Sequence, residues 1–174
     1  MYKRQSYLYT TNQSYENFDL KKIISETCTL TKSETKLVPK TISFSHSFEK
    51  KVIITSNPTW VAQILFNLIM NSYQAIISKN EPGTDNKISI KVDYKESSRD
   101  FVQISIIDTG HGISKNILNK IMKPYFTTRK AGSGLGLAIC KYLSNELGGD
   151  LQIKNNILSS GVIATLTLPI KQND

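Results

Sequence analysis

The most informative stretch of the chain runs from residue 108 to residue 137 and reads DTGHGISKNILNKIMKPYFTTRKAGSGLGL. It begins at the end of an alternation of apolar and polar residues over 101–108, which is typical of a half-buried strand. Asp108 would therefore end this strand beside Gly110 and Gly112, where a flat ligand can approach the backbone. A lone Gly-x-Gly pair can be no more than a turn. An ionised carboxylate at this place could accept a hydrogen bond from the exocyclic amine of adenine.

A second glycine cluster, formed by Gly132, Gly134 and Gly136, precedes an apolar pattern with helical spacing that ends at Gly148. The pattern predicts a helix over 134–147. Glycines that open a helix leave backbone N–H groups available to phosphate oxygens. The cluster lacks the Gly-Lys-Ser/Thr of a P-loop and the spacing of a dinucleotide fingerprint. It therefore indicates a glycine-rich cover over a triphosphate.

A long helix is predicted over residues 58–79, because Asn57 can cap it and Pro58 suits its first turn. One face of this helix is apolar, with Val61, Ile64, Leu65, Leu68, Ile69, Ser72, Ala75 and Ile76. Another stripe holds four uncharged amides: Gln63, Asn67, Asn71 and Gln74. Amide oxygens are hard ligands that suit Mg²⁺. An ordinary polar helix face is the alternative interpretation of this stripe.

Taken in order, these residues resemble the four sequence boxes of the ATP-binding domain of sensor histidine kinases, within the GHKL superfamily. The run Asn67-Leu-x-x-Asn71 resembles the N box, and residues 108–112 resemble the first glycine box. Residues 124–129 (Pro-Tyr-Phe-Thr-Thr-Arg) resemble the F box, and residues 132–137 resemble the second glycine box. The resemblance covers roughly residues 18–170.

The resemblance implies a site for ATP and Mg²⁺, with Asn71 as the metal ligand and Asn67 supporting the metal and phosphates. It also implies that Asp108 accepts a hydrogen bond from the adenine amine and that Gly112 forms the bottom of the adenine site. Thr128 and Arg129 are expected to lie near the terminal phosphates. The residues with expected catalytic roles are Asn67, Asn71, Thr128 and Arg129. The full set of expected nucleotide-binding residues is Asn67, Asn71, Asp108, Gly110, Gly112, Ile113, Thr127, Thr128, Arg129, Gly132, Ser133, Gly134, Leu135, Gly136 and Leu137.

Three positions near the metal ligand depart from the family pattern. Many members have Lys or Arg where this chain has Gln74, and an aromatic residue where it has Ala75. One phosphate-binding cation and one adenine stack are therefore not expected at these positions. Ser72 replaces the usual Ala, a change expected to have little effect.

The residue one helical turn before the metal ligand distinguishes kinases from hydrolases in this superfamily. Hydrolysing relatives have a general-base Glu there, whereas this chain has Asn67, whose amide cannot take a proton from water. We therefore expect transfer of the γ-phosphoryl group to a histidine. Neither His46 nor His111 has the acidic neighbour of a phosphoacceptor histidine, so the acceptor is expected on a separate dimerisation and phosphoacceptor segment. The alternatives are a GHKL-type ATPase module and a non-catalytic nucleotide-binding regulator.

Charge and composition bear on partners and location. The formal net charge is +8, but the Lys and Arg residues are scattered, which favours attraction for ATP or for an acidic response-regulator receiver domain over nucleic acid. No stretch approaches the roughly 18 apolar residues of a membrane span, so direct membrane insertion of this chain is not expected. Cys28 and Cys140 lack metal spacing and suit a reducing cytoplasm, with a membrane-anchored parent protein left open.

The order of predicted elements indicates a two-layer α/β sandwich, in which helices cover one face of a mixed β-sheet. Residues 1–17 are predicted to be a linker or the end of a preceding phosphoacceptor helix region, and residues 18–174 the ATP-binding catalytic domain. Residues 123–133 are predicted to form a mobile lid. Helices are predicted at 18–31, 58–79, 114–121 and 134–147. Strands are predicted at 41–46, 51–55, 87–94, 101–108, 150–155 and 161–169.

Overall fold

The fold is described from a computed structural model. The described residues are 14–34, 43–48, 51–79, 86–95, 98–129 and 132–171. The linker prediction for residues 1–13, the first two residues of the strand predicted at 41–46, and lid residues 130–131 lie outside these ranges.

Three helices and seven strands make up the described part of the chain. The helices are α1 (Leu20–Glu34), α2 (Pro58–Lys79) and α3 (Gly136–Glu146). The strands are β1 (Glu16–Asp19), β2 (Ser43–Phe48), β3 (Ile53–Ser56), β4 (Lys87–Lys95), β5 (Ser98–Asp108), β6 (Asp150–Asn155) and β7 (Val162–Pro169). None of these helices has both the length and the apolar character needed to cross a membrane.

Five of the strands form one mixed sheet in the order β2-β4-β5-β7-β6. β2 runs parallel to β4, and the other neighbouring pairs are antiparallel. The register aligns Ile90 with Ile106 and Ile106 with Ala164, so inward-facing residues form continuous rows across the sheet. The mixed sheet was predicted from the sequence and is confirmed, and its last two strands, β6 and β7, pair in antiparallel register.

The hydrophobic core lies between one face of this sheet and the helices. Alternate residues of each central strand are buried on that face: Ile88, Ile90, Val92, Val102, Ile104, Ile106, Leu151, Ala164, Leu166 and Leu168. The opposite face is mostly polar but also carries Ile107 and Ile163, and Ser105 and Thr165 share a hydrogen bond of 3.2 Å on it. α2 contributes the largest share of helical core residues, with Val61, Ile64, Leu65, Leu68, Ile69, Tyr73 and Ile76 buried. The predicted two-layer sandwich, with helices on one face, is therefore confirmed.

β1 was not predicted, and it pairs antiparallel with β3 in a separate two-stranded sheet. The Thr55 hydroxyl donates to Asn17 Oδ1 at 2.7 Å, and the backbone N–H of Leu20 donates to Val52 at 3.0 Å. A run of four residues is too short for an alternation of apolar and polar residues to predict a strand. The strand that pairs with β1 also lies far along the chain, so the pairing is not visible in the local sequence. The predicted boundary between residues 17 and 18 falls within β1.

The prediction of a helix at 114–121 is wrong. This segment forms consecutive turns, with backbone hydrogen bonds from Ile117 to Ser114 at 3.1 Å and from Lys120 to Ile117 at 2.8 Å. Ile121 is the one buried residue of the segment, so little apolar surface offsets the cost of nucleating a helix. α3 also begins two residues later than predicted, because Gly134 has a φ of +69°, which a right-handed helix excludes.

Gly161, the residue before β7, lies in close contact with the end of β5. A Cβ atom on Gly161 would lie 1.9 Å from the main-chain oxygen of Asp108, and its φ is +103°. Both the space and the conformation at this position therefore require glycine. This contact joins the end of the central strand to the β6–β7 hairpin.

We predict that Gly161→Ala lowers the free energy of unfolding by about 2 kcal/mol or more, because the methyl group meets backbone and the conformation is strained. Urea denaturation of the purified chain would measure the change. Gly136→Ala is the matched control, since a Cβ there meets nothing closer than Asn67 Oδ1 at 3.8 Å. The control should be neutral or stabilising by up to about 1 kcal/mol. Equal stabilities for the two variants would contradict this account of Gly161.

Candidate functional site

A single turn of α2, residues 71–75, contacts both halves of the motif-bearing stretch. Ser72 and Ala75 point towards the end of β5, where Ser72 hydrogen-bonds the side chain of Asp108. Asn71 and Gln74 point towards Arg129 and accept hydrogen bonds from it. Side chains three and four residues apart lie on the same face of a helix, which explains how one turn supplies both contacts.

Asp108 is a buried carboxylate with a defined set of donors. It is 3% exposed, and its Oδ1 accepts the backbone N–H of Gly110 at 2.9 Å and that of Val162 at 3.2 Å. Burial raises the pKa of Asp108, while these hydrogen bonds, that from Ser72 and the charge of His111 act in the opposite direction. A carboxylate has about four acceptor positions, so this one can take a further donor from a ligand.

The first glycine box is packed closely against α2. A Cβ atom on Gly110 would lie 2.7 Å from the Cβ of Ala75 and 3.0 Å from Asp108 Oδ1. Gly110 therefore allows the loop after β5 to lie on the helix, and the small side chain of Ala75 matches that approach. Ser72, which we expected to matter little, takes part in holding Asp108 in place.

Asn155, the last residue of β6, fixes the end of the same loop. Its Nδ2 donates to the main-chain oxygen of Ile113 at 2.6 Å, and its Oδ1 accepts the N–H of Ile113 at 2.7 Å. Gly112, with a φ of +75°, lies beside this amide. Asn155 and Gly161 were not predicted as site residues from the sequence. The position of Asn155 at the end of the strand predicted at 150–155 was the available signal, but its partner lies 42 residues away along the chain.

Arg129 forms the second contact with α2. Its Nη1 donates to Asn71 Oδ1 at 3.1 Å and to Gln74 Oε1, and its Nη2 donates to the main-chain oxygen of Asn71 at 3.5 Å. The predicted metal ligand therefore directs its side-chain oxygen towards a positive charge. A site built from amide oxygens that already face a cation fits the expected role of Asn71 towards Mg²⁺.

The F box and the second glycine box lie directly against each other. Thr127 Oγ1 accepts the backbone N–H of Arg129 at 3.0 Å, and a Cβ on Gly132 would lie 2.6 Å from the same oxygen. A Cβ on Gly134 would lie 2.5 Å from the carbonyl carbon of Tyr125, whose φ is +64°. These contacts bring Arg129 and the glycine cluster to one place.

The N-terminus of α3 faces Asn67. Leu135 is the N-cap residue, no side chain caps the helix, and its first turn contains no acidic residue. The Asn67 side chain hydrogen-bonds the thiol of Cys140, whose pKa is raised to about 12 by burial. Uncapped backbone N–H groups at a helix start provide a positive end of the helix dipole that suits phosphate oxygens.

Three of the expected residues lie at the edge of this arrangement. Thr128 and Ser133 are exposed, and Ser133 Oγ accepts the N–H of Leu135 at 3.4 Å. Leu137 packs against the hydrophobic core, which orients the start of α3. The candidate site thus has one half around Asp108 and a second half around Arg129 and the start of α3, joined by α2.

Comparison with known proteins identifies the family. Residues 56–172 match the family described as histidine kinase-, DNA gyrase B- and HSP90-like ATPase. The chain is 38% identical over 117 residues to the sensor histidine kinase ZraS of Salmonella typhimurium, covering 67% of this chain and 23% of that protein. It is 30% identical over 161 residues to the histidine-protein kinase AtoS of Escherichia coli, covering 91% of this chain and 24% of that protein. The chain thus spans about a quarter of the length of these relatives.

Solved structures with the same fold are also histidine kinases. The catalytic domain of histidine kinase ThkA superposes with a TM-score of 0.74 at 26% identity, covering 91% of this chain and 97% of that domain. A ThkA structure in complex with the response regulator TrrA superposes with a TM-score of 0.69 at 26% identity, covering 90% of this chain and 42% of that one. The chain therefore belongs to the histidine kinase-, DNA gyrase B- and HSP90-like ATPase family, and within it to the ATP-binding domains of histidine kinases.

Proposed function

We propose that this chain binds Mg-ATP and transfers its γ-phosphoryl group to a histidine on a separate dimerisation and phosphoacceptor segment of the same parent protein. The observation that carries the proposal is the position of Asn67. Its amide faces the N-terminus of α3 and hydrogen-bonds Cys140, at the place where hydrolysing relatives have a general base. An amide accepts no proton from water at neutral pH, so a bound triphosphate would persist until a protein nucleophile arrives.

On the adenine side, Asp108 would accept the exocyclic amine of the base. The carboxylate is buried and held by three protein donors, so it needs no rearrangement to bind. Gly110, Gly112 and Ile113 would line the same half of the pocket. Hydrogen bonds from Asn155 on both sides of Ile113 support this loop in its position.

On the phosphate side, Arg129 and the uncapped start of α3 would neutralise the phosphate oxygens. Thr127, Thr128 and the residues 132–137 would surround the triphosphate. Asn71 would hold Mg²⁺, with Asn67 in support, and the bound metal ion would neutralise and orient the phosphates. Catalysis would then consist mainly of positioning. The acceptor imidazole nitrogen forms a bond to the γ-phosphorus while the bond to the β-γ bridging oxygen breaks, and ADP leaves.

The two histidines of this chain support an acceptor outside it. His46 lies in β2, where the backbone pairs it with Ile90 in the main sheet. His111 lies in the loop after β5, with its Nδ1 2.6 Å from the main-chain oxygen of Gly112. We propose residues 18–174 as the catalytic domain and residues 1–17 as the connection to the phosphoacceptor region, with β1 as the point where the connection meets the domain.

The partners that we propose are this acceptor segment and the receiver domain of a response regulator. The ThkA complex with TrrA supports the second partner. A net charge of +8 favours an acidic partner surface, and its scattered distribution argues against nucleic acid. We place the domain in the cytoplasm, where ATP is available. An ATPase module and a non-catalytic regulator remain the alternatives that the last experiment of this section separates.

Asp108→Asn should weaken ATP binding by about 1–3 kcal/mol, because a charged acceptor for the adenine amine becomes neutral. The variant keeps the size and one acceptor oxygen, so the fold should survive. Titration with a fluorescent ATP analogue gives the Kd, and Asp93→Asn on the exposed part of β4 is the matched control. Wild-type affinity in Asp108→Asn would remove Asp108 from the adenine site.

Asn71→Ala should abolish the dependence of ATP affinity on Mg²⁺ while leaving the melting temperature nearly unchanged, because the side chain is not part of the core. The measurement is a pair of titrations with Mg²⁺ and with EDTA. Asn145→Ala, at an exposed position of α3, is the control and should retain the wild-type difference. A normal Mg²⁺ effect in Asn71→Ala would assign the metal to another residue.

The purified chain alone should bind Mg-ATP, hydrolyse it slowly and acquire no acid-labile phosphate. Mixed with the phosphoacceptor segment of its parent protein, it should label a histidine there, because a docked nucleophile completes the site. The control is the same segment with that histidine replaced by glutamine. Rapid hydrolysis by the chain alone would favour the ATPase module, and binding without any transfer would favour the non-catalytic regulator. Acid-labile label on His46 would make the chain a self-contained kinase.

A further inference from the structure

We infer that Gln74 is a positioning residue that keeps Arg129 at the phosphate side of the site when Asn71 is engaged by a divalent cation. The inference rests on the proposed function, since it concerns the same ATP site. Gln74 is the position where many family members have Lys or Arg. In this chain, Gln74 on α2 offers a hydrogen-bond acceptor instead, and Arg129 of the F box supplies the positive charge.

The geometry provides two independent anchors for one guanidinium group. Arg129 Nη1 has two hydrogens and donates one to Asn71 Oδ1, at 3.1 Å, and the other to Gln74 Oε1. Nη2 reaches the main-chain oxygen of Asn71 at 3.5 Å. The backbone of Arg129 is itself held, because its N–H donates to Thr127 Oγ1 at 3.0 Å and its carbonyl accepts the N–H of Gly132 at 3.2 Å.

The two anchors respond differently to a metal ion. Asn71 Oδ1 is the oxygen expected to bind Mg²⁺, and a divalent cation there would weaken its hydrogen bond to the guanidinium group, because the two positive charges repel each other. Metal binding would therefore weaken the shorter of the two hydrogen bonds between Arg129 and Asn71. Gln74 lies one helical turn further along α2 and keeps its oxygen free for Arg129.

The chemistry of an amide suits this role. A carboxylate at residue 74 would also hold Arg129, but it would place a negative charge beside the phosphates. A lysine would supply a cation to the phosphates but would repel Arg129. Glutamine accepts the hydrogen bond with no net charge, so the full positive charge of Arg129 remains available to the terminal phosphate.

The test compares Gln74→Met, which keeps the length of the side chain but loses the amide oxygen, with Ser78→Ala. Ser78 lies one turn further along the same exposed face, and its hydroxyl donates to the main-chain oxygen of Ala75 in its own helix at 3.2 Å. Both variants should melt as the wild type does, because both positions are exposed. The Kd values for ATP and ADP are measured with Mg²⁺ and with EDTA.

With Mg²⁺ present, Gln74→Met should weaken ATP binding about three- to tenfold, the range of a typical hydrogen bond in a protein. ADP affinity should stay within about twofold, since Arg129 is assigned to the terminal phosphate. With EDTA present, the loss of ATP affinity should be smaller, because Asn71 still accepts a hydrogen bond from Arg129. In an Arg129→Ala background, Gln74→Met should have no further effect. Ser78→Ala should match the wild type throughout.

Equal losses for ATP and ADP, equal losses with and without Mg²⁺, or additive effects of Gln74→Met and Arg129→Ala would overturn the assignment of Gln74. These outcomes would leave the ATP site itself in place, because the wild-type chain in the same titrations would still bind Mg-ATP. Failure of the wild type to bind Mg-ATP would instead overturn the proposed function, and the role of Gln74 with it.

Discussion

The site depends on one turn of α2 that is anchored in the core. Ser72, Tyr73 and Ile76 are buried, and α2 contacts α1, α3 and strands β4 and β5 of the sheet. Because one side of this turn is packed at interior density, the other side presents Asn71 and Gln74 at fixed positions. The loop after β5 and the F box both attach to this turn. The relative placement of the two halves of the candidate site thus follows from the burial of a single helix.

The elements predicted well from the sequence are those that are stabilised by local contacts or that have a strongly periodic apolar pattern. α2 has the predicted bounds, since Asn57 caps it through a hydrogen bond to the Trp60 N–H at 3.1 Å and its apolar face repeats over 22 residues. The central strands alternate over long runs and meet the same core. For the site, Asp108 and Arg129 could be named because their residue types match the chemistry and their neighbours match a known order of motifs.

The features that were missed depend on contacts between distant segments. β1 exists through its pairing with β3, and Asn155 acquires its role through Ile113, 42 residues away. The segment 114–121 was predicted to be a helix, but of its residues only Ile121 is buried, while Ile117 and Leu118 remain partly exposed. Helix formation in proteins draws most of its stability from packing an apolar face, so a pattern with no partner surface forms turns instead. The periodicity of a sequence shows which surface an element could bury. Whether another element packs against that surface depends on the tertiary structure.

The two halves of the site have different mechanical support, which bears on how a nucleotide is recognised. Asp108 accepts backbone hydrogen bonds of 2.9 and 3.2 Å and lies against Gly161, so in the proposed site the acceptor for the base would be in place before a ligand arrives. The phosphate side relies on the long side chain of Arg129 and on uncapped backbone groups at α3. A preformed contact costs little conformational entropy on binding, whereas a long side chain loses rotamer freedom. Under the proposed function, the base would therefore contribute affinity directly, while the phosphates and the metal ion would determine the arrangement from which the phosphoryl group is transferred.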